Sequence, residues 1–244
     1  MGEKVCAIVG AGEGLGQSLA EVFANGGFDV ALLSRTEKGS RAALEAARRV
    51  NPACQARFFA ADASVPAVLE AALARVRHEL GAVEVLIYNV RGDDFTSKAP
   101  LAIEYTELRE IFEIEVVGAL AAAKAVMPRM IEAGHGTVIF SSATAALRGS
   151  ATNALYAIGK FGLRALSQSL AKAYAKAGVH VAQVRLDCTL DVPIVRKLLG
   201  QRFDPTKVAA TADVARTYLW IAQQPKSAWS NEVELRPFTE DWTF

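Results

Sequence analysis

A chain of 244 residues, 52% hydrophobic and 22% charged, carries enough apolar surface for a buried core and is neither disordered nor of low complexity. Its 27 Lys and Arg against 26 Asp and Glu leave a net charge of +1, which argues against nucleic acid or another polyanion held by long-range attraction. No apolar run reaches the roughly 18 residues a membrane span needs, because Lys124 breaks the stretch from Val116 to Met130. Met1-Gly2-Glu3-Lys4 leads straight into a strand without room for a secretory segment, so no membrane association and a cytoplasmic location are expected.

In chain order, apolar β-rich runs alternate with Ala-rich stretches of helical spacing. The pattern predicts strands at 5–9, 28–33, 56–60, 83–88, 137–141, 179–186 and 233–235. It predicts helices at 15–25, 38–50, 65–80, 105–133, 153–177 and 211–223. Continuous apolar strands are buried on both faces, and strands separated by helices cannot be hairpins. The expected fold is α/β: a doubly wound, mainly parallel Rossmann-type sheet with helices on both faces. No Pro/Gly/Ser linker divides it, so residues 1–244 are expected to form a single domain. Ser64 stands where an N-cap belongs, with Pro66 in the first helical turn. Ligands of such a sheet bind beyond the carboxyl ends of the strands, where the strand order reverses.

The loop after the first strand reads Val9-Gly10-Ala11-Gly12-Glu13-Gly14-Leu15-Gly16. A pyrophosphate at a helix N-terminus needs a tight turn, close backbone approach and close helix–strand contact, all of which glycine permits. The spacing is G-x-x-x-G-x-G, not G-x-G-x-x-G, so its place between strand and helix carries more weight than the pattern. The loop after the second strand ends in Ser34-Arg35. An acid there would bind a ribose and repel a 2′-phosphate, whereas Arg35 can pair with that phosphate. NADP(H) is therefore favoured over NAD(H), which stays open because the carboxylate of Glu13 pulls the other way.

Farther along, Tyr156 has Lys160 four residues on, which places phenol and ammonium on one helix face. A neighbouring cation favours phenolate, lowering a tyrosine pKa from its usual ~10 toward a value useful for proton transfer to or from a carbonyl oxygen. Ser141 and Ser142, ending the fifth strand, are placed to hydrogen-bond the same oxygen. The cysteines Cys6, Cys54 and Cys188 and the histidines His78, His135 and His180 are scattered. Reduced thiols and no metal site are expected.

On these residues the chain resembles a short-chain dehydrogenase/reductase of the short single-domain type, in a divergent subgroup, from Lys4 to about Leu235. The family's TGxxxGxG is similar to VGAGEGLG, its Asp after the third strand to Asp62 before Ala63, and its NNAG to Tyr88-Asn89-Val90-Arg91. Its active-site Ser corresponds to Ser142 and its YxxxK to Tyr156 and Lys160. The resemblance implies an oxidoreductase that moves hydride between a nicotinamide cofactor and a small carbonyl or alcohol substrate. In that reading Tyr156 is the acid/base and also contacts the cofactor, and Lys160 tunes it and holds ribose hydroxyls. It further implies a homodimer or homotetramer joined through the helices at 105–133 and 153–177.

The chain departs from the family at several points. Phe112-Glu113-Ile114-Glu115-Val116-Val117-Gly118 puts Glu115 where the family's fourth active-site residue is Asn. Glu115 either offers its backbone carbonyl, pairs with Lys160 or faces elsewhere. Arg91 replaces a glycine, to meet an acidic substrate or to salt-bridge Asp93 or Asp94, and Leu186-Asp187 replaces Pro-Gly. Ser142 lies fourteen residues before Tyr156, where thirteen is common. These departures keep open a second reading, a dinucleotide-binding protein with little turnover. The segment 187–210 is expected to cover the site, either as an apolar pocket with a basic rim or as a solvated amphipathic helix. The aromatic tail, with Trp229, Phe238, Trp242 and Phe244, packs locally or across a partner.

Overall fold

Inner strands are apolar on both sides along their whole length. Val5–Val9 (β1) sends Ala7 and Val9 to one face and Cys6 and Ile8 to the other, none more than 2% exposed. A strand with no solvent face has to be covered twice, and the intervening helices do this. The structure, a computed structural model, describes residues 4–92 and 98–240. The expectations for Asp93, Asp94, Trp242 and Phe244 lie outside the described residues.

After β1 come Leu15–Asn25 (α1), Asp29–Ser34 (β2), Glu37–Val50 (α2), Ala56–Ala60 (β3), Pro66–Glu79 (α3) and Val83–Tyr88 (β4). Tyr105–Phe112 (α4), Gly118–Ala133 (α5), Gly136–Ala143 (β5), Ala154–Tyr174 (α6) and Val179–Leu186 (β6) follow. The chain continues through Thr189–Asp191 (β7), Pro193–Leu199 (α7), Val208–Ala210 (β8), Thr211–Ala222 (α8) and Glu232–Leu235 (β9). Seven strands form one parallel sheet in the order β3-β2-β1-β4-β5-β6-β9, so the order reverses between β1 and β4. The short strands β7 and β8 pair with each other. One core joins the sheet to α3, α5 and α6, the other to α1, α2 and α8. In β4, Leu86 and Ile87 are 0% exposed and serve one core each, every such side chain contributing about 1.5–3 kcal/mol of burial.

Local details differ from expectation in two places. The stretch at 105–133 is not one regular helix: a π-helical turn, Glu113–Val117, separates α4 from α5. Tyr88 Oη donates to the carbonyl of Ile114 within that turn, at 2.5 Å. Gly118 follows because a Cβ there would stand 2.1 Å from the carbonyl oxygen of Ala63. Ser64, in turn, is not the cap of α3. That position is Val65, and Ser64 instead donates its N–H and hydroxyl to Asp62, at 2.9 and 2.7 Å.

The last strand is fastened by charge. Glu232 accepts from Arg164 at 2.7 and 2.9 Å and from Gln168 at 2.7 Å, Glu234 pairs with Arg185, and Arg236 reaches Asp187 at 2.6 Å. At the amino end of β6, His180 is 3% exposed, stacks on Trp229 at 4.8 Å between ring centroids, and places Nε2 2.9 Å from the carbonyl oxygen of Ser230. Burial holds its pKa below the usual histidine range. The unfolded chain therefore takes up this proton first, so the contribution is complete above the ordinary value of ~6.5 and is lost as pH falls below it. Urea midpoints should fall from about pH 7 to 5, with a shallower slope in His180→Gln. An equal or steeper slope in the variant contradicts this assignment.

Candidate active site

The crevice at the strand-order reversal is a cavity of about 690 Å³ running from the glycine loop past the exits of β2, β3 and β4 to α4. Of the residues read from the sequence, Gly10, Gly12, Ser34, Arg35, Asp62, Ala63, Asn89, Val90 and Arg91 line it. Glu13, Gly14, Leu15, Gly16, Glu115, Ser142, Tyr156 and Lys160 do not. Glu13 is exposed, while Leu15 and Gly16 are buried at the start of α1. Each glycine has its own reason. Gly10 has φ +88°, and a Cβ on it would lie 2.5 Å from Asn89 O; a Cβ on Gly16 would lie 2.8 Å from Gly10 O. Gly14 meets Val192, whereas a Cβ on Gly12 would have nothing within 4 Å. The backbone at Gly12 is thus open for a ligand to approach.

Sequence reasoning missed Ser64, Gly92, Ile111, Ile114 and Leu155, which also line the cavity. Leu155 and Gly92 adjoin residues the motifs identify; α4 carries no motif that marks its contribution. At the β2 end, Ser34 Oγ donates to the carbonyl of Thr36 at 2.9 Å and lies 2.7 Å from Ser40 Oγ, and Arg35 beside it is exposed. Donation from Ser64 holds the carboxyl of Asp62 below the usual carboxylate range, and the charge of Arg35 adds to the effect.

Both ends of the Asn89–Gly92 segment are held. Asn89 Nδ2 donates to Gly10 O at 3.1 Å, and Ser141 Oγ donates to Asn89 Oδ1 at 2.8 Å. Tyr218 Oη lies 2.8 Å from Ser141 Oγ and, since the one serine proton goes to Asn89, is the donor of that pair. At the other end, the N–H of Gly92 donates to Glu115 Oε1 at 3.2 Å. Neither the Tyr218–Ser141–Asn89 chain nor the Gly92–Glu115 contact has a local sequence signal, since the partners are 77 and 23 residues apart.

Strand alternation separates the two serines. Val138 and Phe140 face the α5–α6 core and so does Ser142, whereas Ser141 turns to α8. Ser142 is 4% exposed, and its Oγ has no hydrogen-bond partner among the described residues. On α6, the spacing of four brings the Lys160 ammonium to 5.6 Å from the centre of the Tyr156 ring. Lys160 is 3% exposed, stands 2.8 Å from Glu115 Oε2 as an ion pair and donates to Ser141 O at 3.2 Å. Of the possibilities for Glu115, pairing with Lys160 is the one observed. The expected acidic phenol is corrected. Burial raises the pKa of Tyr156 above its ordinary value and outweighs the cation of Lys160; Glu115 raises it further, and Arg91 lowers it.

Around this centre, Asp187, in place of the family's glycine, accepts from Thr144 Oγ1 and pairs with Arg236. The covering segment begins with Val192 against Gly14 and continues into α7, where Ile194 and Leu198 are 59% and 70% exposed. Arg196 there pairs with Asp191 at 2.6 Å. No group of three or more His, Cys, Asp and Glu fit to hold a metal ion occurs among the described residues. None of their helices is long and apolar enough to cross a membrane.

Comparison with known proteins agrees with this layout. The short chain dehydrogenase family matches residues 4–199. An uncharacterized oxidoreductase of Staphylococcus epidermidis is 25% identical over 96% of this chain and 97% of its own. The crystal structure of a short-chain dehydrogenase from Rhodopseudomonas palustris is 28% identical, with a TM-score of 0.79 over 96% of this chain and 99% of its own. A metagenomic short-chain oxidoreductase in complex with NADP has the same fold, at 22% identity and a TM-score of 0.83, covering 98% and 99%.

Proposed function

Because the chain belongs to the short-chain dehydrogenase family of oxidoreductases, we propose that it is an NADP(H)-dependent enzyme transferring hydride between the nicotinamide and a small carbonyl or alcohol substrate, with Tyr156 as acid/base. The carrying observation is Ser142 Oγ, a buried hydroxyl without a partner on the face of β5 turned toward α6. Leaving such a group unpaired costs about 1–3 kcal/mol, which a substrate oxygen would offset.

The donor set suits a dinucleotide: an open backbone at Gly12, the Arg35 guanidinium and Ser34 hydroxyl at the β2 exit, and the carboxylate of Asp62 across from them. When bound, the cofactor supplies or accepts the hydride. Tyr156 gives its phenolic proton to the carbonyl oxygen, and Ser142 Oγ–H donates to the same oxygen as charge develops on it. Lys160 donates one of its three N–H groups to Ser141 O and is ion-paired with Glu115, and its remaining donors would serve ribose hydroxyls. Arg35 meets the 2′-phosphate. Exposed Tyr105, Phe112, Leu120, Ile158 and Phe161 on α4, α5 and α6 support assembly of copies of the chain through these helices.

Fluorescence titration with NADPH, followed by NADPH oxidation against a panel of ketones and aldehydes, tests this reading. Arg35→Asp should move preference toward NADH by about 10-fold or more, the loss of a charge-assisted phosphate contact plus a new repulsion. An unchanged preference removes the NADP(H) assignment. One observation favours the second reading, a dinucleotide-binding protein with little turnover: Lys160 is held by a buried carboxylate. NADPH binding without turnover in the wild type, and turnover in Glu115→Asn, would select it.

A further inference from the structure

Glu115 is 0% exposed, and its two oxygens are engaged inside the site, Oε1 by the N–H of Gly92 and Oε2 by the ammonium of Lys160. The π turn at Glu113–Val117 carries this side chain, packed so closely that a Cβ on Gly159 would stand 3.0 Å from Glu115 Cγ. A carboxylate here changes what Tyr156 experiences. The ammonium lies 5.6 Å from the phenol ring and the carboxylate 2.8 Å from the ammonium, so the two charges reach the phenol as a dipole instead of a cation. The remaining cation acting on the phenol is Arg91, from the exit of β4. From β5 come the non-titrating Ser141 and Ser142. Tyr88, on β4, faces Glu115 and is kept protonated by burial.

We propose that Glu115 is a positioning residue that sets the working direction of the site. Burial already favours the protonated phenol, and by neutralising Lys160, Glu115 weakens the cation that opposes it, so the site delivers a proton to a carbonyl oxygen and withdraws one from an alcohol only in alkaline solution. This rests on the catalytic reading of Tyr156. In the favoured direction, hydride adds to the carbonyl carbon as the phenolic O–H bond breaks and an O–H bond forms on the substrate. Alcohol and phenolate result, and solvent restores the proton. A reducible aldehyde or ketone is thus the substrate class at neutral pH.

Tyrosinate absorbance of the wild-type chain, less that of Tyr156→Phe, isolates ionisation of this one phenol from the other four tyrosines. Its midpoint is expected above about 10 in the wild type and lower by about 1–3 units in Glu115→Gln, where the cation acts alone. In Glu115→Gln/Lys160→Met, which removes both charges, the midpoint should return close to that of the wild type. A wild-type midpoint below about 9, or one unmoved by Glu115→Gln, overturns the proposal. Should Glu115→Gln not fold, the wild-type midpoint and the double variant decide. With turnover in hand, the oxidation rate of the wild type should climb about 10-fold per pH unit up to that midpoint while reduction stays flat. A chain that titrates as stated but turns over nothing fails the catalytic reading and keeps the electrostatic role of Glu115. Oxidation and reduction sharing a midpoint near neutrality does the reverse.

Discussion

Tyr156→Phe is expected to lower kcat by about 10²–10⁴-fold, the usual contribution of a positioned general acid, while NADPH affinity stays almost unchanged. The two halves of this expectation have separate structural grounds. Phenylalanine keeps the ring and its packing beside Lys160 but has no proton to give. The cavity that would receive the dinucleotide is lined by the glycine loop and the exits of β2, β3 and β4, without Tyr156. Steady-state reduction kinetics together with NADPH fluorescence titration check both. A variant retaining activity within about 10-fold of the wild type would remove Tyr156 from the proton step. Equal loss of affinity and rate would point to a collapsed site.

Lys160→Met is expected to cost about 3–5 kcal/mol of stability at neutral pH, beyond its effect on turnover. Lys160 and Glu115 are 3% and 0% exposed, and the pair lies in the packed seam between α6 and the π turn. Removing the cation leaves a desolvated carboxylate with only the Gly92 N–H to compensate it. Replacing both members removes both desolvation costs, so Glu115→Gln/Lys160→Met should recover most of the loss. Urea unfolding of the four proteins in the cycle measures the coupling. Additive losses in the double variant would show that the two groups do not act as a pair.

The sheet was legible because its strands are continuous apolar runs at intervals too long for hairpins, and β1 through β6 stand where those runs are. Tyr156 and Lys160 were legible because helical spacing alone puts them on one face. The two serines could be read as a pair but not told apart. Their opposite directions follow from β5 running through to Ala143, two residues past its predicted end. The fate of Glu115 lay beyond the sequence, since a 3.6-residue periodicity cannot reveal an extra residue inside a helix. Ser64 misled for a local reason: Asp62, two residues earlier, captures both of its donors. The phenol's electrostatics could not be judged from Tyr156 and Lys160 alone, because burial and a carboxylate on another element outweigh the cation counted along the helix.

The π turn behaves like a frameshift written into a helix. One added residue rotates everything after it by about 100° relative to a regular α-helix. The chain can therefore present Glu115 to Lys160 and still bring the face of α5 containing Ala119, Ala122 and Val126 onto the sheet. Loss of a single residue between 113 and 117 would restore an ordinary helix and force a choice between those two alignments. With the apolar face carrying most of the energy, the helix would keep its seat on the sheet and let the carboxylate swing away from its partner. An indel of one codon at this point would thus separate folding from chemistry more cleanly than any substitution at the same place.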